Sequence, residues 1–125
     1  MKLLLDAGAL IAVDRRVRAV AAQLRVAQQE RIPVHTSGGV VAQVWRNGAR
    51  QADLARVLTG VKTLAIDTTS ARQIGTLLAT SRSDDLVDAH VALLAVDGDR
   101  VLTSDPTDIR RLLRARGVSA TIVRT

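Results

Sequence analysis

The 125-residue sequence has no cysteine, no phenylalanine and no tyrosine, and Trp45 is its only aromatic side chain. Without cysteine there is no disulfide framework and no zinc–thiolate site, and a reducing compartment is admissible. Without aromatics, the core has to be packed from Leu, Val, Ile and Ala, which suits helices layered on a parallel sheet. No apolar run approaches the roughly 20 residues that span a bilayer. The segment before the first acid, Asp6, is too short to read as a secretory signal. The expectation is therefore a cytoplasmic protein folded as a single domain over residues 1–125.

Two charged residue types are also scarce. Lys occurs twice, as Lys2 and Lys62, against 16 Arg, and Glu occurs once, as Glu30, against 11 Asp. The net charge is +6. Arg makes planar, forked contacts to phosphate and carboxylate, so the surplus is compatible with a nucleic-acid partner. A solvated Arg-rich surface explains it equally well. Asp is a poor helix former that prefers caps, turns and sites, so each Asp has to be accounted for.

What is abundant is apolar, at 47% of residues, which excludes a disordered chain. The β-branched and Leu-rich runs at 2–5, 32–35, 61–66, 100–103 and 119–124 read as strands. Helix-period segments lie at 15–30, 38–60 (broken near Asn47-Gly48), 69–81, 86–97 and 107–115. This alternation predicts an α/β fold with right-handed crossovers, a central parallel sheet of about five strands, and helices on both faces. The "DGD" at 97–99 is a helix-to-strand turn, and Pro106 suits the first turn of a helix.

In such sheets, ligands bind beyond the carboxyl ends of the strands. Asp6, Asp67 and Asp105 fall there. Asp67 precedes "TTSARQIG" and reads as a helix cap. Asp6 and Asp105 read as caps or as ligands. Asp14, Asp53, Asp97, Asp99 and Asp108 read as turn, cap or surface acids. Asp88 is different, because it lies inside "DDLVDAHVALLAV" with Val91, Ala92 and Ala95 on its own helix face. A carboxylate on a packed face has to be paired, protonated or bound to metal. Asp85 precedes it by nearly one turn. Two strand-end acids and one inward helix acid form an all-oxygen set suited to Mg²⁺ or Mn²⁺. With a basic surround, hydrolysis of a phosphodiester by metal-activated water is the natural reaction.

Four stretches, "LLLDAGALIA" at 3–12, "VVAQVWRNGAR" at 40–50, "DDLVDAHVALLA" at 84–95 and "VLTSDPTDI" at 101–109, together resemble the motifs of PIN-domain proteins. The group most like them is the VapC toxins of bacterial toxin–antitoxin pairs. The resemblance covers nearly the whole chain. It implies a three-layer α/β/α fold and a Mg²⁺- or Mn²⁺-dependent endoribonuclease acting on RNA. It also implies a homodimer neutralised by a cognate antitoxin. Carried over residue by residue, it places the catalytic and metal-binding acids at Asp6, Asp88 and Asp105, with Asp85 and Asp108 as supporting acids. Thr103 and Ser104 fall where the family often has hydroxyls.

One position departs from the pattern. The family carries a Glu on the helix after the second strand, where this chain has Gln43. An amide oxygen can ligate a cation but brings no charge, which weakens divalent affinity. Gln43 is thus a candidate further ligand, or the mark of a weakened site that acts by binding antitoxin or RNA. Trp45 reads as core or interface, Arg46 and Arg50 as phosphate contacts or a solvated helix end, and His35 as a cap. His90 points about 200° around its helix from Asp88, so it is not a ligand. Neither G-x-G-x-x-G nor G-x-x-x-x-G-K-[ST] occurs, which argues against a nucleotide-cofactor enzyme. A phospho-acceptor receiver domain would want a Lys near the site, and neither Lys is placed for it.

Overall fold

A computed structural model describes residues 1–125. Its strands are β1 (Leu3–Leu5), β2 (Val34–Ser37), β3 (Lys62–Leu64), β4 (Arg100–Thr103) and β5 (Thr121–Arg124). Its helices are α1 (Ala7–Asp14), α2 (Arg18–Gln29), α3 (Gly38–Val44), α4 (Ala52–Leu58), α5 (Thr68–Ser81), α6 (Leu86–Leu94) and α7 (Pro106–Arg116). The five strands form one sheet in the order β3-β2-β1-β4-β5, and every pairing is parallel. All strands therefore end at one edge, as the sequence pattern requires.

The helices divide into two layers. α2 and α4 pack against α1, while α5, α6 and α7 pack against one another on the other face. α3 touches both α1 and α6 near the carboxyl edge. The chain winds outward from β1 through β2 to β3, returns to β4, and continues to β5. The order therefore reverses between β1 and β4, where right-handed crossovers leave a crevice. Asp6 follows β1 and Asp105 follows β4, so both acids flank that crevice.

The core is aliphatic, as the missing aromatics demand. Leu4, Leu5, Val101 and Leu102 fill the sheet's centre. Ala9 and Leu10 of α1 cover one face, and Val91 and Ala92 of α6 with Ile109 and Leu112 of α7 cover the other. The small Ala side chains let helices lie close to the strands. Burying each Leu contributes about 1.5–3 kcal/mol.

Several elements differ from the sequence pattern for identifiable reasons. α1 is a separate helix over Ala7–Asp14, where periodicity gave none. Seven consecutive apolar or small residues, Ala7 to Val13, carry no one-sided stripe to detect. The 38–60 segment is two short helices joined through 45–51. β2 lies two residues later than expected, because Thr36 and Ser37 are polar yet fully buried. Thr36 meets the cost by donating its hydroxyl to Leu5 O at 2.7 Å. α6 stops at Leu94, where Arg116 donates to the carbonyls of Ala92 and Ala95 at 2.7 Å each and so caps its end. The turn at Asp97-Gly98-Asp99 and the placement of Pro106 at the start of α7 are as expected.

Candidate active site

β1 drives its apolar run into the core and delivers Asp6 to the crevice with only 2% of its surface exposed. The carboxylate is both a cap and a bridge. Oδ1 accepts Ala9 N–H at 2.9 Å, closing the first turn of α1, and Oδ2 accepts Ser104 N–H at 3.2 Å from beyond β4. The Thr103 hydroxyl adds a further hydrogen bond. Gly8 makes this approach possible, since a Cβ there would lie 2.1 Å from Ser104 Oγ. Burial raises the pKa of Asp6, and the four hydrogen-bonding groups around it pull the other way.

Asp88 comes from the opposite layer. Asp85 caps α6, its Oδ1 accepting Val87 N–H at 3.0 Å and Asp88 N–H at 2.9 Å. Asp88 sits in the first turn rather than mid-helix, and is 9% exposed. Its carboxylate gathers with those of Asp105 and Asp108, one oxygen from each lying within 4.8 Å of the others. Asp105 caps α7 by accepting Asp108 N–H at 3.2 Å, and its own N–H donates to Thr103 Oγ1 at 2.8 Å. The Ser83 hydroxyl donates to Asp108 at 3.0 Å and holds it toward α6.

Burial pushes the pKa of Asp88 up to about 8. A hydrogen bond with the Asp108 carboxyl and the charges of Asp85, Asp108 and Asp6 act in the same direction. No cation offsets them. The ion pairs of the protein are Lys2–Asp99, Arg16–Asp53 and Arg56–Asp53, all elsewhere. A buried carboxylate with no basic partner, as Asp88 is, has to hold a proton or a cation. The donor set is entirely oxygen, which fits Mg²⁺ or Mn²⁺.

The sequence-predicted residues thus separate. Asp88 and Asp105 meet in the tight group, and Asp108 joins them, although its spacing also reads as a cap or surface acid. Asp6 stands outside that group, but its charge reaches Asp88. Asp85 lies outside it as well and has one oxygen committed to capping. Gln43 is exposed on α3, and its amide has no hydrogen-bond partner. Asp67 forms a capping box with Ser70 at the start of α5, as expected.

Other polar residues show what spacing conceals. His90 forms a 2.6 Å hydrogen bond with Ser37, both fully buried. Ser37, and not His35, caps α3 by accepting Gly39 N–H at 3.0 Å. His35 lies inside β2, and burial lowers its pKa. Asp99 is no surface acid. It is 1% exposed, ion-paired to Lys2, and accepts Lys2 N–H and Val96 N–H. Trp45 is exposed, with its ring over Gly48. Gln51, which nothing in the sequence singles out, is buried and fully hydrogen-bonded between α3 and α4.

No family model and no curated protein sequence matches the chain. A solved structure does. The fold is similar to a chain in the crystal structure of VapBC2 from Rickettsia felis bound to a DNA fragment from their promoter. The TM-score is 0.71, covering 98% of this chain and 99% of that one. At 12% identity the likeness is one of fold. It agrees with the PIN-like, VapC-like architecture that the four sequence stretches resemble.

Proposed function

We propose that this chain is a VapC-like PIN-domain toxin, a Mg²⁺- or Mn²⁺-dependent endoribonuclease whose domain spans residues 1–125. The observation that carries this reading is the carboxylate group of Asp88, Asp105 and Asp108, in which Asp88 is buried and Asp105 open to solvent, with the charge of Asp6 reaching it and no basic residue to balance it. The cluster lies at the switch point of a VapC-like fold, where chemistry is placed in open α/β sheets.

Asp88, Asp105 and Asp108 would hold the cation. Bound there, it supplies positive charge against a phosphoryl oxygen and acidifies water for attack on a phosphodiester. Asp6 adds negative charge at the crevice while fixing α1 to the end of β4. Asp85 and Ser83 aim Asp88 and Asp108 at each other. Burial of Asp6 and Asp88 lowers the local dielectric, which strengthens every charge interaction made there.

The same reading includes an antitoxin partner, a homodimer and a cytoplasmic setting. A neighbour of known structure is VapBC2 from Rickettsia felis. A groove of about 930 Å³ between α2 and α4 suits an acidic antitoxin segment. Arg18 and Arg25 rim it beside Arg16 and Arg56, which pair with Asp53 of the same groove, and Val13, Leu24 and Val57 form part of its floor. It lies at the far end of α1 from Asp6, about 12 Å along the helix axis.

A second reading is a weakened site that acts by binding. Gln43 supports it, being an uncharged, unpartnered side chain where VapC-like sequences carry Glu. One experiment tests both: cleavage of structured RNAs with and without Mn²⁺ by wild type, Asp88→Asn and Gln43→Glu. The toxin reading expects Mn²⁺-stimulated cleavage by wild type that Asp88→Asn abolishes, and equal cleavage by Asp88→Asn overturns it. Cleavage that appears only in Gln43→Glu establishes the weakened site.

A further inference from the structure

The Ser37–His90 pair is a buried, polar link between the two elements that enclose the acid group, and the cage of carboxylates makes no direct use of it. Ser37 is 0% exposed and His90 1%. Their 2.6 Å hydrogen bond joins the end of β2 to the middle of α6 across 53 residues of sequence. Ser37 also starts α3 through its contact with Gly39 N–H. Next to it, Gly39 leaves room for Val87 of α6, whose Cγ2 would lie 3.2 Å from a Cβ at that position. Val87 and His90 bracket Asp88 in sequence. α6 is therefore gripped on both sides of its acid by the same two-residue step at the start of α3.

His90 points about 200° around the α6 axis from Asp88. A pin on that side opposes rotation of the helix, and rotation is the motion that would swing Asp88 away from Asp105 and Asp108. α6 needs such a pin. Its packed residues, Ala89, Val91 and Ala92, are small or aliphatic and specify rotation only weakly. A hydrogen bond is directional, and its loss would strand two buried polar groups.

Resting on the acid-site reading above, we infer that His90 is a positioning residue: its hydrogen bond to Ser37 fixes the rotation of α6 and so sets Asp88 in the geometry that binds a divalent cation. The apolar alternative at position 90 would pack, but would not lock.

The test is calorimetric titration of the purified full chain with Mn²⁺, beside the melting temperature of each metal-free variant. His90→Leu removes the bond, and His90→Asn restores an acceptor close to where Nδ1 sits. Residues that orient metal ligands without touching the metal typically contribute about 10–100-fold in affinity. The expectation is a loss of about tenfold or more in His90→Leu, recovered in His90→Asn. Ser37→Ala is expected to match His90→Leu, and the double variant to be no worse than either alone. Should His90→Leu fail to fold, Ser37→Ala and His90→Asn carry the comparison. Wild-type Mn²⁺ affinity in a folded His90→Leu or Ser37→Ala overturns the inference, as does an equal loss in His90→Asn. Absence of Mn²⁺ binding by wild type removes the acid-site reading, and this inference with it.

Discussion

Gly8 shows how one atom's absence can set a site. In the first turn of a helix, Gly→Ala is ordinarily stabilising by up to about 1 kcal/mol. Here the added Cβ would lie 2.1 Å from Ser104 Oγ and 2.4 Å from Ser104 Cβ. Relief requires moving Ser104, whose N–H donates to Asp6. We expect Gly8→Ala to reverse the usual sign and destabilise by about 1–3 kcal/mol, the range for overpacking. Mn²⁺ binding should weaken in step. Denaturant unfolding and titration check it, and a stabilised Gly8→Ala would refute the close approach. The sequence shows Asp6 at a strand end but cannot show this contact, because its partner lies 96 residues away. Asp88 was legible for a different reason: a carboxylate on an apolar helix face is anomalous wherever the fold places it. Asp108 was ambiguous, since a first-turn Asp is ordinary at a helix start and only proximity to Asp88 changes its meaning.

At the scale of elements, sequence reveals what repeats and hides what is held from outside. β4, α5 and α7 emerge close to their observed bounds, because each has a clear apolar stripe or run flanked by caps. α1 does not, being apolar on every side. The joint between α3 and α4 is also invisible, although it has a specific fastener. The Gln51 carbonyl accepts Arg46 N–H at 2.8 Å and Asn47 N–H at 3.0 Å, while its amide donates to Val44 O at 3.0 Å and Asp14 Oδ2 at 3.2 Å. The side chain thus ends α3, shapes the loop and ties it to α1. A lone Gln in sequence signals none of this. Gln51→Leu keeps the volume and removes the bonds, and each buried group left unsatisfied costs about 1–3 kcal/mol. The expected result is a melting temperature lower by on the order of 10 °C for a chain of this size. An unchanged melting temperature would mean that water replaces the amide.

For the whole molecule, the titrating groups pull stability in opposite directions with pH. Asp88 is pushed up to about 8 when folded, against an ordinary value of 3.8. The folded chain then binds more protons than the unfolded one between those values, so stability falls as pH rises through them. Asp6, raised by burial, adds to the same trend. His90 acts the other way. Burial lowers its pKa from 6.5, so its contribution is complete above that value and is lost as pH falls below it. Metal-free protein should therefore lose stability from about pH 6.5 to pH 8, chiefly through Asp88. Asp88→Asn should flatten that limb, while a His90 variant should alter only the acid side. A cation competes with the proton on Asp88, so the rise in melting temperature produced by Mn²⁺ should grow toward pH 8 in wild type. In Asp88→Asn that rise should be small and independent of pH. Thermal melts across this range, with and without Mn²⁺, decide the point. A metal-free wild type that gains stability between pH 6.5 and pH 8 would show that the carboxylates are not held together as the fold places them.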